Sequence, residues 1–170
     1  MSGSLAERVE ALESRLERAE AELEIHRLIV RYGLAVDAGD AEAAMALFTE
    51  DAVYEVRAVD TGLRESSGQT LWMEGAEAVG HMVLGENHQS LLPNSAHTIG
   101  PVVVSVEGDR GRATGYSRIY HREEDDFRLF RIGMNHWELV KRPEGWRIAR
   151  RVSQAVGAED VMELTRLGLE

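Results

Sequence analysis

Residues 94 to 106, Asn94-Ser-Ala-His97-Thr-Ile-Gly-Pro-Val-Val-Val-Ser-Val106, place a histidine and a Gly-Pro break before an apolar, β-branched run. The run predicts a strand, because branched side chains pack well on a pleated surface. His97 would stand at the entrance to that strand, held by rigid backbone between apolar neighbours. An imidazole with an ordinary pKa of about 6.5 can take and give a proton near neutrality. A histidine that only caps a strand end fits the same pattern, so both interpretations stay open.

Turn sequences divide the segments around this stretch into further strands. A strand over 102–107 turns at 108–111 into one over 112–121, which is followed by strands over 127–141 and 146–156. Upstream, residues 52–59 alternate as a strand, 60–68 predict a loop, and 69–73 predict a returning strand that carries Trp72. Residues 75–84 predict a short helix, 85–95 a loop, and 159–169 a short closing helix.

The N-terminal residues 3–31 predict one long helix. Its apolar residues recur at alternating steps of four and three, namely Leu5, Val9, Leu12, Leu16, Ala19 and Leu23. So narrow a seam is typical of a coiled coil or of a helix that lies on a partner. We therefore expect residues 1–24 to mediate homo-oligomerisation, although the helix could also fold back on its own domain.

From Ile25 onward the apolar face of the helix broadens into one suited to a domain core. Gly39 is expected to end this helix, and Asp40 to cap a second one. We expect a single domain over 25–157 and a tail over 158–170. The order of elements predicts an α+β fold, in which a strongly curved, mostly antiparallel sheet forms a cone with helices on its concave side. The open mouth of such a cone is a natural pocket.

Composition excludes several classes of function. The chain has 170 residues and a formal net charge of −11, which disfavours a nucleic-acid or anionic-membrane partner. It contains no cysteine, so thiolate metal sites and cysteine nucleophiles are ruled out. No apolar run is long enough for a membrane helix, and a cytoplasmic location is expected. No metal-binding or nucleotide-binding motif is present, so we expect neither a metal nor a cofactor.

Two residues far from His97 in the sequence could complete a site with it. Asp37 lies at the C-terminal end of the long helix, where a carboxylate is disfavoured by the helix dipole. If it meets His97, it would orient the imidazole and stabilise its cation. Tyr32 lies about 140° around the helix from Asp37 and could flank the same cavity. Arg150 and Arg151 should point to opposite faces of the last strand, where one could hold a substrate anion.

Residues 28–40 (Leu28-Ile-Val-Arg-Tyr-Gly-Leu-Ala-Val-Asp-Ala-Gly-Asp40) and 47–54 (Leu47-Phe-Thr-Glu-Asp-Ala-Val-Tyr54) resemble the opening of the SnoaL-like group in the nuclear transport factor 2 superfamily. Ser95-Ala-His-Thr98, Gly108-Asp109 with Ala113, and Gly145-Trp-Arg-Ile148 resemble its second half, and the likeness spans residues 25–153. Tyr-x4-Asp on the first helix, with a histidine opening a later strand, is similar to the branch that contains scytalone dehydratase, hexachlorocyclohexane dehydrochlorinase and bile-acid 7α-dehydratase.

The resemblance implies a cofactor-independent lyase that acts on a small hydrophobic carbonyl or ring compound. His97 would be the base, Asp37 its orienting partner, and Tyr32 a hydrogen-bond donor to the substrate or leaving group. The pocket residues expected are Tyr54, Trp72, Tyr116 and Asn135. A homotrimer is favoured, with a dimer as the alternative. Asn135 stands where some relatives carry tyrosine, and the 57–74 hairpin is long, so the substrate stays open. An isomerase or polyketide-type cyclase, and a non-catalytic binding or assembly module, are the alternatives.

Overall fold

The computed structural model describes residues 4–57, 70–158 and 160–170. The helices in those ranges are α1 (Leu5–Asp37), α2 (Ala41–Met45), α3 (Ala76–Leu84), α4 (Glu86–Gln89) and α5 (Val161–Arg166). The strands in the same ranges are β1 (Phe48–Arg57), β2 (Leu71–Glu74), β3 (Ser95–Glu107), β4 (Arg110–Glu123), β5 (Asp126–Arg142) and β6 (Gly145–Ala155).

Helix α1 is a single helix of 33 residues. Ser4 caps its first turn, where the Ser4 hydroxyl accepts from the Glu7 N–H and the Glu7 carboxylate accepts from the Ser4 N–H. The helix is buried only from Ala21 onward. Gly39 follows its end with a φ of +66°, a backbone conformation that glycine adopts without steric cost. The helix therefore has two parts, an exposed N-terminal half and a C-terminal half that belongs to the domain.

The six strands form one open sheet in the order β2-β1-β6-β5-β4-β3. Neighbouring strands are antiparallel except β1 and β6, which run parallel. This confirms the α+β class and the mostly antiparallel, cone-like sheet expected from the sequence. The parallel pair joins segments that lie about a hundred residues apart in the chain.

The core lies between the concave face of the sheet and α1. The fully buried side chains Trp137, Leu139 and Ile148 of the sheet pack with Ile25 and Ile29 of the helix in one cluster. Burial of each large apolar side chain of this kind contributes roughly 1.5–3 kcal/mol. The last turn of α1 meets the start of β3, where Asp37 contacts His97.

Helix α5 corrects the expectation that all helices gather on one face. Successive β5 residues point to opposite faces, so Met134 lies on the convex face while Asn135 lies on the concave one. Leu164 of α5 covers Met134 and Val152 in a small separate cluster. The closing helix predicted over 159–169 is thus present, but it shields the outer face of the sheet.

Several element boundaries observed in the structure differ from those predicted from the sequence. Strand β1 begins at Phe48, four residues before the predicted start at 52, and its register with β6 shifts between Phe48 and Val53. The loop expected over 85–95 contains α4, and β3 begins at Ser95, so His97 lies inside the strand. The returning strand is β2. The loop predicted over 60–68 and the ends of its flanking predicted strands lie outside the described residues.

Candidate functional site

The end of α1 and the start of β3 bring Asp37 against His97. One carboxylate oxygen, Oδ2, accepts the His97 backbone N–H at 2.7 Å. The other, Oδ1, lies 2.6 Å from the imidazole Nδ1. The two side chains are 24% and 17% exposed, so both are partly shielded from water. A carboxylate can only accept, so Nδ1 of the neutral imidazole carries the hydrogen and Nε2 holds the lone pair.

A glycine allows these two elements to approach each other. A Cβ added at Gly33 would lie 2.4 Å from the carbonyl oxygen of His97. Real Cβ atoms do not come so close to backbone, so no side chain fits there without movement of β3. The contact fixes the position of β3 relative to the last turns of α1. The hydrogen bonds that Asp37 accepts from His97, one helical turn later, depend on the position of β3 relative to α1.

A second histidine, His88, supports the pair from α4. It is buried, and its Nε2 lies 2.7 Å from the carbonyl oxygen of Val36 in the last turn of α1. Because a carbonyl only accepts, that nitrogen carries a hydrogen. The ring centroids of His88 and His97 are 5.7 Å apart. Sequence reasoning gave His88 no role, because a four-residue helix has too few residues to show a periodic pattern.

Aromatic side chains form the next part of the site. Tyr32, Phe48 and Tyr54 pack with ring centroids 5.8 to 6.2 Å apart. The Arg151 guanidinium lies over two of these rings, 4.4 Å from the Tyr32 centroid and 4.5 Å from that of Tyr54. A cation over an aromatic face is attracted by the ring quadrupole. Tyr32 and Asp37 both lie in the last two turns of α1, so one helix carries a member of the cluster and a member of the Asp37–His97 pair.

Asn135 links this cluster to the middle of the sheet. Its Oδ1 accepts from Nε and Nη2 of Arg151 at 3.2 and 2.9 Å, and its Nδ2 donates to the hydroxyl of Ser117 at 2.8 Å. Arg151 Nη1 is buried and has no hydrogen-bond partner among the described residues. This buried cation is thus held by an amide oxygen and by π faces. As expected, Arg150 points to the opposite face, where it pairs with Glu55.

The Tyr32 hydroxyl stays protonated in this environment. Burial raises the pKa of Tyr32 well above its ordinary value of 10.0, and the neighbouring Tyr54 adds to the shift. The positive charge of Arg151 opposes it without cancelling it. A phenol of this kind donates a hydrogen bond and does not act as a base at neutral pH.

Two of the predicted pocket residues lie elsewhere. Trp72 of β2 is 51% exposed and donates to Glu74 at 2.8 Å, whereas its neighbour Met73 points into the core. Tyr116 of β4 is 42% exposed, and it alternates with Ser117, which faces Asn135. Period-2 alternation therefore sends both aromatic residues to the outer face of the sheet. Tyr54 and Asn135, the other two, are buried on the concave side.

Within residues 4–57, 70–158 and 160–170, no three histidine or acidic side chains come together in a way that could hold a metal ion. None of the helices in those ranges is both long enough and apolar enough to cross a membrane.

The whole arrangement can be compared with known proteins. The sequence model of the SnoaL-like domain family matches residues 17–152 of this chain. That range includes both the Asp37–His97 pair and the aromatic cluster. The chain belongs to the SnoaL-like domain family. It is therefore a member of the nuclear transport factor 2-like group, whose domains bind small hydrophobic molecules and include enzymes. A comparison with curated proteins gave no match.

Solved structures agree with this assignment. An NTF2-like protein with a cystatin-like fold from Novosphingobium aromaticivorans is 32% identical to this SnoaL-like chain, with a TM-score of 0.79 over 90% of this chain and 94% of that one. A protein of unknown function from Mycobacterium tuberculosis is 21% identical, with a TM-score of 0.67 over 94% and 90%. A candidate scytalone dehydratase from N. aromaticivorans is 18% identical, with a TM-score of 0.64 over 85% and 88%. The last two share the fold.

Proposed function

We propose that this SnoaL-like protein is a cofactor-independent lyase that eliminates water or a similar group from a small hydrophobic carbonyl or ring compound. The observation that carries the proposal is the doubly hydrogen-bonded Asp37–His97 pair, which is partly shielded from water. The candidate scytalone dehydratase of the same fold is consistent with elimination chemistry.

His97 acts as the general base. Asp37 holds the imidazole through Nδ1, so the lone pair of Nε2 is free to take a proton from the carbon next to the carbonyl group. No described residue hydrogen-bonds to Nε2. The negative charge of Asp37 then stabilises the imidazolium that forms. General base catalysis of this type typically contributes about 10²–10⁴-fold in rate.

Arg151 and Tyr32 stabilise the charge that develops on the substrate. When the proton leaves carbon, its electron pair moves toward the carbonyl oxygen, and a buried donor is most effective there. Arg151 Nη1 lacks a partner among the described residues, and the Tyr32 hydroxyl remains a donor. Collapse of the enolate forms the carbon–carbon double bond and expels hydroxide, which takes up the proton from His97 and leaves as water.

The test is to incubate the protein with a panel of cyclic and aromatic β-hydroxy ketones and to measure the masses of the products by mass spectrometry. Loss of the mass of one water is the expected change, and an unchanged mass with a rearranged product would identify an isomerase or cyclase instead. His97→Ala should lower turnover about 10²–10⁴-fold. His81→Ala is the matched control, because His81 is an exposed histidine on α3.

A His97→Ala variant that is folded and as active as the wild type would discard the base assignment. If no compound in the panel turns over, while hydrophobic members still bind with measurable affinity, the result supports the non-catalytic binding module.

A further inference from the structure

The first half of α1 carries an apolar stripe that its own domain leaves uncovered. Its large side chains are each at least 44% exposed: Leu5, Val9, Leu12, Leu16 and Leu23. Together with Ala19 they recur at steps of four and three, the spacing of a heptad repeat. Val9, Leu16 and Leu23 then occupy heptad position a, and Leu5, Leu12 and Ala19 occupy position d. Such a seam is stable in water only when another helix covers it.

The domain packs on the other side of this helix. Ala21 and Leu28 are both buried against the domain, and both fall at heptad position f, directly opposite the seam. A partner helix can therefore lie along the seam without meeting the domain of the same chain. The geometry leaves room for a coiled coil along residues 5–27.

The charges that flank the seam select the partner and its direction. In a parallel, in-register pair, each residue at position g meets the residue at position e five places later in the other helix. All three such pairs within residues 8–27 are opposite in charge: Arg8 with Glu13, Arg15 with Glu20, and Glu22 with Arg27. The sequence is thus complementary to an identical copy of itself.

An antiparallel pair is less favourable. In the antiparallel register that aligns the seam, g positions face g positions and e positions face e positions. Arg15 would then meet Arg15 of the second copy, and Glu13 would meet Glu13, while only the contacts between Arg8 and Glu22 would be attractive. Like charges in these places destabilise the pairing. The parallel arrangement, in which every flanking pair is attractive, is therefore preferred.

We propose that residues 5–27 of α1 form a parallel, in-register coiled coil with the same helix of a second copy of this chain. The seam supplies the buried apolar contact, and the three g–e pairs fix direction and register. The two domains then lie side by side at the same end of the coiled coil, each on the outer face of its helix.

Cysteine cross-linking tests both the contact and its direction, because the chain has no cysteine of its own. Val9→Cys is placed in the full-length protein and oxidised in air. In the parallel register, residue 9 meets residue 9, so most chains should link into a covalent dimer. In the antiparallel register, residue 9 meets residue 19 and lies about 15 Å from its equivalent, too far for a disulfide. Val9→Cys alone would then stay unlinked, and a mixture with Ala19→Cys would link.

Two further variants make the result decisive. Ser14→Cys lies at position f on the face away from the seam and should remain monomeric on a non-reducing gel. Adding Leu12→Glu and Leu16→Glu to Val9→Cys should abolish its cross-link. Both leucines are exposed in the single chain, so the packing of the domain should be unchanged, which near-ultraviolet circular dichroism measures. Failure of Val9→Cys to link, linking of Ser14→Cys to the same extent, or persistence of the Val9→Cys link in the triple variant would overturn the proposal.

Discussion

At the residue scale, the most informative group is the carboxylate of Asp37. It uses both oxygens on one residue, one on the main chain of His97 and one on its ring. The first bond positions the strand, and the second selects the tautomer. One bond would be enough to balance the charge of an imidazolium. Because Asp37 accepts both from the main chain and from the ring of His97, it is well suited to hold the imidazole in one orientation.

We predict that Asp37→Asn removes most activity while the protein stays folded. An asparagine that keeps its carbonyl on the His97 main chain turns its NH₂ toward Nδ1. Nδ1 must then accept, so the hydrogen moves to Nε2 and the base is lost. We expect kcat to fall at least about 10²-fold with a smaller change in KM, measured by steady-state kinetics. An Asp37→Asn variant with wild-type kcat would show that the carboxylate does not set the tautomer.

His136, on the convex face, leads to a prediction about pH and stability. It is buried, and its Nδ1 lies 2.8 Å from the hydroxyl of Thr114. Burial lowers the pKa of His136 below its ordinary value of 6.5, and the positive charges of Arg112 and Arg150 lower it further. Glu138 and Glu170 oppose that effect. The unfolded chain therefore binds a proton at a higher pH than the folded one does.

The sign of the effect follows from linkage. Stability is full above pH 6.5 and falls as the pH drops from 6.5 toward the lower folded pKa, since only the unfolded state gains the proton there. We predict that His136→Gln loses less stability than the wild type between pH about 7.5 and about 5.5. Urea titrations at both pH values measure the difference. Equal losses in the two proteins would mean that His136 does not titrate differently on folding.

The sequence predicts the members of the candidate site unevenly, for a physical reason. Tyr32, Asp37 and His97 lie near the end of a helix or the start of a strand, and the sequence pattern predicts both of these elements. Asn135 lies on a strand with polar residues on both faces, so the pattern could not show which face is concave. The resemblance implies that Trp72 and Tyr116 lie in the pocket, but alternation along their strands places them on the outer face of the sheet.

At the scale of elements, the contact between α1 and β3 at Gly33 controls the site. We predict that Gly33→Ala destabilises the protein by about 1–3 kcal/mol, because its Cβ would lie 2.4 Å from the His97 carbonyl oxygen and β3 would have to move. Activity should fall as well, since His97 would shift away from Asp37. Denaturant unfolding and kcat measure the two effects.

Gly80→Ala is the matched control for this prediction. A Cβ at Gly80 would come within 2.5 Å of Met45 Sδ, the end of a flexible side chain that can move aside. We expect this variant to change stability by less than about 1 kcal/mol. Similar losses in both variants would point to a general intolerance of larger residues in the helices, and would count against a specific role for Gly33.

Short and irregular elements are the ones that the sequence pattern does not predict. The long strands and the long helix follow from periodicity because each repeats its pattern many times. Helix α4 is four residues long and contains no repeat. Residues 49–51 resemble a turn because Thr, Glu and Asp are polar. They nevertheless belong to β1, at the point where its register with β6 is irregular. The pairing of β1 with β6 overrode the local preference.

At the scale of the whole molecule, the exposed N-terminal half of α1 differs from the domain in burial. The SnoaL-like match begins at residue 17, and burial begins at Ala21, so most of the seam lies outside the matched domain. The heptad helix over residues 1–24 and the domain over 25–157 stay predictions. Burial along α1 begins at Ala21, close to the predicted boundary between them. The proposed oligomer formation and the proposed catalysis can therefore be tested independently.

We predict that the thermal midpoint of the full chain rises with protein concentration, whereas that of a variant lacking residues 1–19 does not. Association through the seam stabilises the folded chain by mass action. The shortened variant keeps every buried residue of α1 and should retain the circular dichroism spectrum of the domain, apart from the helix removed. Differential scanning calorimetry over a hundredfold range of concentration measures the effect. A midpoint independent of concentration in the full chain would contradict it.

The parallel pairing of β1 with β6 also has a consequence for synthesis. During translation, β1 leaves the ribosome long before β6 exists, so the paired strands β1 and β2 have no neighbour on their inner edge until β6, the last of the described strands, has been made. The last strand to emerge is inserted between β1 and β5 and joins the two halves of the sheet. The nascent polypeptide must therefore keep an open edge of β1 from pairing with other chains until its own final strand arrives.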